Sequence, residues 1–363
     1  MSITEYELKI ELEGIEDPDI GEDIVTLGLV NDVTIDDETA RISLAFNTPY
    51  APAEMEIGNR IREVVKEAGL EPDLRAHAGA EHGFDDEVLP RVRNVIAVSS
   101  GKGGVGKTTV AANLAAGLEK RGAMVGILDA DIHGPNIPRI LPVESDPGVT
   151  PNEDIVPPRS DGVRVISMGF MMEEEDDPAI LRGPMVNKFM MKFLDGVEWG
   201  RLDYLIVDLP PGTGDATLNL LQSMPVTGAV VVTTPQEMAL DDTRKGIQMF
   251  NKHDTPVLGV VENMSTFIAP DTGKEYGLFG TDGAQQIVDK YDVPLIGQIP
   301  IHPDFGADGS KGTLVKDDDS EVQETLEEMV ANVADRVSEA NRHTVSENTS
   351  DTPDDALPTE LED

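Results

Sequence analysis

Seven short apolar runs between residues 94 and 300 constrain the fold of this chain more than any other feature of its sequence. They are rich in β-branched residues, and longer segments with helical periodicity separate them. The runs are NVIAVSS (94–100), MVGILDA (124–130), VRVISMG (163–169), YLIVDLP (204–210), AVVVTTP (229–235), VLGVVEN (257–263) and PLIGQIP (294–300). Continuous apolar strands that alternate with helices predict an α/β domain whose mostly parallel sheet is flanked by helices. Residues with a chemical role are then expected at the carboxyl ends of the strands.

The sequence before these runs has a different pattern of apolar residues. Residues 24–46 contain two strand-like runs around a polar turn at Asp36–Glu38, which indicates a hairpin. Ala53–Ala68 has apolar residues close to helical spacing and predicts a helix. We therefore expect a small α+β domain over residues 1–72. Residues 73–92 have mixed polarity and no sustained period, as is typical of a linker.

The α/β domain is predicted to occupy residues 93–342. Its last element is a helix at 321–342, where apolar residues recur on one stripe that can pack on the domain. The segment 343–363 is polar and acidic, which predicts a disordered tail.

Composition excludes several classes of function. The chain has 69 Asp and Glu against 28 Lys and Arg, a net charge of −41, so it should repel nucleic acid and anionic membranes. This acidity, spread over a chain that keeps its apolar segments, is typical of a halophile's protein that stays soluble in concentrated salt. No apolar window of about 18 residues and no basic, apolar leader is present, which predicts a cytoplasmic protein. The chain has no cysteine, which excludes disulfides, thiolate metal sites and cysteine nucleophiles.

The segment Gly101–Thr109, GKGGVGKTT, matches the phosphate-binding pattern G-x-x-x-x-G-K-[ST]. It directly follows the first apolar run and precedes a helical segment, which is the context that the pattern requires. Its glycines let backbone N–H groups converge on phosphate oxygens, while Lys107 is expected to contact the β- and γ-phosphates of ATP and Thr108 to bind Mg²⁺. The loop residues expected to contact nucleotide are Gly101, Gly103, Gly104, Val105, Gly106, Lys107, Thr108 and Thr109.

Three acids at strand ends complete the predicted magnesium site. Asp208 closes an apolar run, as the Walker B acid does, and is expected to hold Mg²⁺ partly through water. Asp131 is a candidate to position the attacking water, and Asp129 to support the outer shell of the metal. The alternatives are a strand-end cap for Asp208 and turn formation for Asp129 and Asp131.

Lys102 adds a second lysine to the loop. With a lysine at this position, the motif resembles the phosphate-binding loop of the deviant Walker A ATPases. That group includes MinD, ParA, the nitrogenase iron protein and the Mrp/ApbC/Nbp-type iron–sulfur carriers. Longer stretches make the chain similar to the Mrp/ApbC subgroup, and residues 1–72 resemble the MIP18-like domain that often precedes it. The stretches are LDADIHGPNIPRIL (128–141), LRGPMV (181–186), LDYLIVDLPPGTGDATL (202–218), VVTTPQEMALDDTRKGIQMF (231–250) and VLGVVENMS (257–265).

The resemblance implies roles for individual residues. Lys102 is expected to reach across a homodimer to the nucleotide of the partner, in the manner of an arginine finger supplied in trans. Asn263 is expected to bind the edge of the adenine, and the backbone N–H of Gly212 to sense the γ-phosphate. A solvated loop lysine and a turn asparagine are the alternatives for Lys102 and Asn263.

The sequence also departs from the family pattern. After ENMS, members that carry clusters have a C-x-x-C, which in a dimer supplies four thiolates to one [4Fe–4S] cluster. Here those positions are Ala269 and Thr272, and Ala51 stands where many MIP18-like domains have a cysteine. The six histidines are scattered without metal-ligand spacing. The family therefore implies a [4Fe–4S] cluster for which the expected sulfur ligands are missing.

Four functions follow as hypotheses. The first is an ATP-hydrolysing, dimeric carrier or chaperone of the Mrp/ApbC type that serves iron–sulfur cluster transfer to client apoproteins. The second is a cysteine-free ATPase that regulates or assembles other protein clients. A positioning ATPase like MinD or ParA is a third class, although the C-terminal helix at 321–342 is acidic rather than basic. A metabolic kinase is the fourth, but the sequence offers no acceptor pocket and no lid arginines.

Overall fold

The computed structural model describes residues 3–36, 38–76, 88–131, 134–171, 183–269, 272–280, 283–305, 313–317 and 322–350. The chain divides into two compact units. The first comprises Met1–Asn47, Ala53–Gly79 and Ser338–Asp363, and the second comprises Thr48–Pro52 and Ala80–Val337.

The first unit contains a three-stranded sheet and two helices from the N-terminal part of the chain. Strands β1 and β2 form an antiparallel hairpin, which confirms the prediction for residues 24–46, and β3 pairs with β2 in parallel. Buried Ile57, Ile61 and Val65 recur every four residues on the second helix and pack on the sheet. The elements are α1 (Glu5–Leu12), β1 (Val30–Asp36), β2 (Thr39–Leu44), α2 (Pro52–Glu67) and β3 (Glu71–Ala76).

The second unit contains the predicted α/β sheet, and all seven apolar runs form strands in it. The central strands are fully or almost fully buried, because helices cover the parallel sheet. The strands are β4 (Val92–Ser100), β5 (Val125–Asp129), β6 (Gly148–Val149), β7 (Ile155–Val156), β8 (Arg159–Ser160), β9 (Val163–Ser167), β10 (Leu202–Asp208), β11 (Gly228–Thr233), β12 (Val257–Ile268), β13 (Glu275–Tyr276) and β14 (Leu295–Ile301).

The described residues form one nine-stranded sheet with the order β13-β12-β11-β4-β10-β5-β9-β8, in which β14 also pairs with β12. Only the pairs β12–β13 and β8–β9 within it are antiparallel. The helices of this unit are α3 (Lys107–Lys120), α4 (Ile137–Ile140), α5 (Gly183–Asp195), α6 (Asp215–Gln222), α7 (Glu237–Lys252), α8 (Gly283–Tyr291) and α9 (Gln323–Ser350), the last of which continues into the first unit.

Helix α9 differs from the sequence prediction at its C-terminal end. Its apolar stripe is buried up to Val337, as expected, but the helix runs eight residues into the predicted tail, and residues 351–363 lie outside the described part. At residues 338–343 of this helix the buried side chains are polar, namely Ser338, Asn341 and Arg342. Arg342 is 1% exposed and forms ion pairs with Asp17 (2.6 Å) and Asp19 (2.5 Å) of the first unit.

One domain boundary and one helix also differ from the prediction. Residues 73–76, assigned to a linker, belong to β3, and residues 77–87 of that linker lie outside the described part. The short helix α1 was not predicted, although a capping box joins Thr4 and Glu7 at its start. Among the described residues, no helix is long and apolar enough to span a membrane.

The register of the central strands positions the site. Asp208 at the end of β10 pairs with Val98 of β4 on one side and with Asp129 of β5 on the other. The carboxyl ends of these parallel strands therefore bring two predicted acids side by side, next to the loop that follows β4.

Candidate nucleotide-binding site

The glycine-rich loop connects β4 to the first turn of α3. Gly104 and Gly106 have φ values of +80° and +82°, a region that favours glycine, and Gly106 is the N-cap of α3. A Cβ at Gly106 would overlap the side-chain amide of Asn263, and one at Gly101 would overlap the backbone of Asp242. Glycine is thus required here by backbone conformation and by close approach of neighbouring elements. The loop presents its backbone at a helix N-terminus, which favours phosphate.

Lys107, Thr108 and Asp208 meet at the centre of the site. The ammonium of Lys107 donates to Oδ1 of Asp208, and Oγ1 of Thr108 donates to Oδ2 of the same carboxylate at 2.8 Å. Asp208 is completely buried, which raises its pKa, and the charge of Lys107 opposes that rise. A hydroxyl and a carboxylate are hard oxygen ligands, so the donor set of Thr108 and Asp208 fits Mg²⁺.

Asp129 lies beside this pair and is also completely buried. Its oxygens accept from the backbone N–H of Asp131 (3.2 Å), the backbone N–H of Ile137 (3.0 Å) and Oγ of Ser167 (3.0 Å). Burial, and next the negative charge of Asp208, raise the pKa of Asp129 to about 7. The carboxyl of Asp129 therefore ties the end of β5 to α4 and to β9, a positioning role that its sequence motif did not indicate.

A cavity of about 340 Å³ opens in front of the loop. Asp131 lines this cavity and is half-buried, and its role with the attacking water stays a prediction. Sequence reasoning missed several other residues of this wall, although they lie in or near motifs that it had singled out. These are Asn136, Arg139, Ile140 and Pro211.

Lys102 points to a different neighbour from Lys107. Its Nζ donates to Oε1 of Gln236, the N-cap of α7, at 3.4 Å, and it is absent from the described residues that line the cavity. The N–H of Gly212 donates to the carbonyl of Ser100 at 2.8 Å, with φ at +89°. The segment after β10 is thus bonded to the base of the glycine-rich loop.

Asn263 is buried within β12, at the end of the apolar run 257–263, and lies against the same loop. Its Nδ2 donates to the carbonyl of Val105 at 2.8 Å. The preceding residue, Glu262, is buried and accepts from the N–H of Ala284 (2.8 Å) and from Nε2 of Gln298 (3.0 Å). Glu262 therefore fixes the neighbourhood of Asn263 by joining β12 to α8 and β14.

Ala269 and Thr272, the positions at which the resemblance implies cluster ligands, lie between β12 and β13 and are joined by a backbone hydrogen bond. The N–H groups of Thr272 and Gly273 donate to the carbonyl of Ala269 at 3.2 and 2.8 Å, and the N–H of Ala269 donates to Lys274 at 3.0 Å. Neither a methyl group nor a threonine hydroxyl fits the thiolate ligation of a [4Fe–4S] cluster. Ala51 is completely buried. Within the described ranges, no group of three or more His, Asp or Glu side chains is placed to hold a metal ion.

The parallel sheet, the glycine-rich loop at the N-terminus of α3 and the Lys107–Thr108–Asp208 cluster define a P-loop nucleotide-binding protein. Residues 91–334 match the ParA family model described as the NUBPL iron-transfer P-loop NTPase, and the chain belongs to this family. Residues 9–73 match a second family, described as iron–sulfur cluster assembly protein. Both matches confirm the resemblance inferred from the sequence.

Individual relatives agree with this assignment. The chain is 40% identical over 341 residues to the iron–sulfur cluster carrier protein of Synechocystis sp.. The aligned region covers 91% of this chain and 96% of that protein. It is 41% identical over 330 residues to a chloroplastic Fe–S cluster assembly factor of Arabidopsis thaliana, covering 88% of this chain and 61% of that protein. A nucleotide-binding protein of Archaeoglobus fulgidus, solved in complex with ADP, has 39% identity and a TM-score of 0.56, covering 63% of this chain and 90% of that one.

Proposed function

We propose that this protein is a homodimeric, Mg²⁺-dependent ATPase that works as a carrier or chaperone in iron–sulfur cluster assembly and acts on client apoproteins or assembly factors. The observation that carries the proposal is the convergence of Lys107 and Thr108 on the buried carboxylate of Asp208, beside a phosphate-binding loop. Relatives of 40% identity that are named iron–sulfur cluster carrier proteins supply the biological setting. The acidic surface and the lack of a basic C-terminal helix favour a cytoplasmic protein that binds neither membranes nor nucleic acid.

Binding of ATP would use the backbone N–H groups of Gly101–Thr109 and the ammonium of Lys107. Lys107 would exchange its bond to Asp208 for oxygens of the β- and γ-phosphates. Mg²⁺, when bound by Thr108 and Asp208 with Asp129 behind them, supplies positive charge that offsets charge developing on the phosphates. Asp131, on the cavity wall, would accept a hydrogen bond from the attacking water and orient it.

Hydrolysis would require a second protomer. Lys102 is bonded to Gln236 and does not belong to the cavity wall within the described part of the chain, so it is available to a neighbour's nucleotide rather than to its own. An ammonium supplied in trans adds positive charge at the transition state and couples hydrolysis to dimer closure. The N–H of Gly212 would exchange its bond to the carbonyl of Ser100 for one to the γ-phosphate, and so report that phosphate to the segment before α6.

Lys102→Ala and Lys107→Ala separate these roles. We expect Lys102→Ala to reduce hydrolysis much more than nucleotide affinity, whereas Lys107→Ala should weaken both. The measurements are phosphate release and titration with a fluorescent ATP analogue, at the salt concentration where the wild type is folded. Lys252→Ala, which removes an exposed lysine at the end of α7, is the control. Equal losses of binding and hydrolysis in Lys102→Ala would contradict action in trans.

The cargo is the point at which this chain departs from its family. With Ala269 and Thr272 at the ligand positions and no cysteine anywhere in the sequence, the chain offers no thiolate for a cluster. We expect anaerobic incubation with iron and sulfide to give no stoichiometric cluster, as judged by absorbance and iron content. A stable cluster of about four iron atoms per dimer would contradict this part of the proposal.

The missing ligands also favour a second candidate, a cysteine-free ATPase that assembles or regulates other proteins. The two candidates differ in their clients rather than in their nucleotide chemistry. Asp131→Asn is expected to hold ATP without hydrolysing it, and the proteins that co-purify with this variant identify the clients. Recovery of cluster-assembly proteins supports the first candidate, and recovery of unrelated proteins supports the second.

A further inference from the structure

The nucleotide cavity has a wall that the sequence motifs did not assign to any function. One side of the cavity is the glycine-rich loop with Lys107 and Thr108, and another includes Asn136, Arg139 and Ile140 in and beside α4. Arg139 is exposed, so its guanidinium can reach a ligand in the cavity without the cost of leaving a buried position. The wall therefore adds a long cationic side chain to the space in which phosphates are expected.

The backbone that carries Arg139 is fixed by a buried network. A four-residue helix is not stable alone, and α4 is instead held by the bond from the N–H of Ile137 to Asp129. Ser167 bonds to the same carboxylate oxygen and thereby links α4 to the end of β9. The N–H of Arg139 donates to the carbonyl of Asn136 at 3.1 Å. The backbone at Arg139 is thus anchored at the cavity that Asp131 also lines.

A further cation at the cavity would offset negative charge that Lys107 and Mg²⁺ leave on a bound triphosphate. Asp131 lines the cavity that a triphosphate of about four negative charges would enter, and Lys107 is paired with the buried Asp208 behind it. Among the described residues that line the cavity, Lys107 and Arg139 are the two cationic side chains. A guanidinium can donate two parallel hydrogen bonds to phosphate oxygens, which an ammonium cannot do.

We infer that Arg139 binds the terminal phosphate of ATP within its own protomer. We assign the terminal phosphate because Arg139 lines the same cavity as Asp131 and Pro211. Pro211 directly precedes Gly212, the proposed sensor of the γ-phosphate. The inference rests on the proposed ATPase function and extends it. Two cations then act on one nucleotide, Arg139 from the same chain and Lys102 from the partner.

The test compares wild type, Arg139→Ala and Arg139→Lys. Affinities for ADP and for a non-hydrolysable ATP analogue are measured by titration, and hydrolysis by phosphate release. We expect Arg139→Ala to weaken binding of the ATP analogue by about tenfold or more while ADP binding changes by less than about threefold. Arg139→Lys should recover part of the loss, because it restores the charge but not the paired hydrogen bonds.

The salt dependence separates direct contact from a general effect of charge. At about 1 M salt the Debye length is roughly 3 Å, so only a cation in contact with the phosphate keeps its effect. The selective loss in Arg139→Ala should therefore persist in 1 M KCl. Arg201→Ala removes an exposed arginine just before the amino end of β10, at the opposite end of the strand, and should leave both affinities unchanged.

Two results would overturn the inference. If Arg139→Ala weakens binding of ADP and of the ATP analogue equally, Arg139 contacts another part of the nucleotide. If Arg139→Ala binds both with wild-type affinity, Arg139 does not contact the nucleotide. A wild-type protein that binds nucleotide but does not hydrolyse it would instead count against the proposed ATPase function. In that case the binding titrations still decide the role of Arg139, because they do not depend on turnover.

Discussion

The protonation of Asp129 should make the stability of this protein depend on pH in an unusual direction. Asp129 is completely buried beside Asp208, and its pKa is raised from an ordinary 3.8 to about 7. The folded protein therefore holds a proton on Asp129 that the unfolded chain releases near pH 4. Between about pH 4 and pH 7 the folded state binds more protons than the unfolded state at this group, so the free energy of unfolding falls as pH rises.

The size of the effect follows from the two pKa values. A difference of about three units corresponds to a loss on the order of 4 kcal/mol, spread over pH 4 to 7 at no more than about 1.4 kcal/mol per pH unit. Above the folded pKa this group adds no further dependence. The many other carboxylates of the chain also titrate in the acid range, so the contribution of Asp129 has to be isolated as a difference between two proteins.

Asp129→Asn provides that difference, because the amide cannot titrate. We expect Asp129→Asn to gain stability relative to the wild type as pH rises from 5 to 8, measured by urea unfolding at constant salt without nucleotide. Asp195→Asn, at the exposed end of α5, is the matched control and should follow the wild type at every pH. Parallel stability profiles for wild type and Asp129→Asn would refute the reasoning.

Three further predictions concern other parts of the chain. Ala269→Cys with Thr272→Cys introduces the two thiolates that the resemblance implies, and anaerobic reconstitution should then give a cluster shared by two protomers; no iron uptake would show that more than sulfur is missing. Gly106→Ala forces a side chain to adopt a positive φ and to overlap its neighbour, so nucleotide binding should be lost and the free energy of unfolding should fall by about 1–3 kcal/mol. Arg342→Met leaves Asp17 as an unpaired buried charge and should lower the free energy of unfolding by about 3–5 kcal/mol, and an unchanged denaturation midpoint would contradict that.

The parallel sheet was predictable because its signal is local. Each central strand is a continuous apolar run, and burial on both faces demands such a run wherever the strand lies in the sheet. The glycine-rich loop was predictable for the same reason, since its fixed residues are contiguous in the sequence. Asp208 could be placed at the site because the carboxyl ends of parallel strands share one edge of the sheet.

The remaining features depend on contacts between distant residues. Arg342 is buried because two aspartates more than 300 residues away neutralise it, and a sequence window shows only a polar segment. Asp129 carries the acidic pattern of a metal ligand, but its three hydrogen-bond donors come from the loop after β5, from α4 and from β9. Arg139 lies on a helix of four residues, which is too short to have a periodic pattern.

The first unit is built from both ends of the chain, and this has a consequence for its synthesis. Domains at the N-terminus usually fold while the ribosome is still making the rest of the protein. Here the first unit includes Ser338 onward, and its buried pair of Asp17 and Arg342 joins residues 325 positions apart. The apolar core of this unit uses residues 8–65 alone, but its buried ion pair is complete only when nearly the whole chain has been made. A nascent chain stalled before residue 338 would carry the buried carboxylate of Asp17 without its cationic partner, and a truncated gene would yield an incomplete first unit.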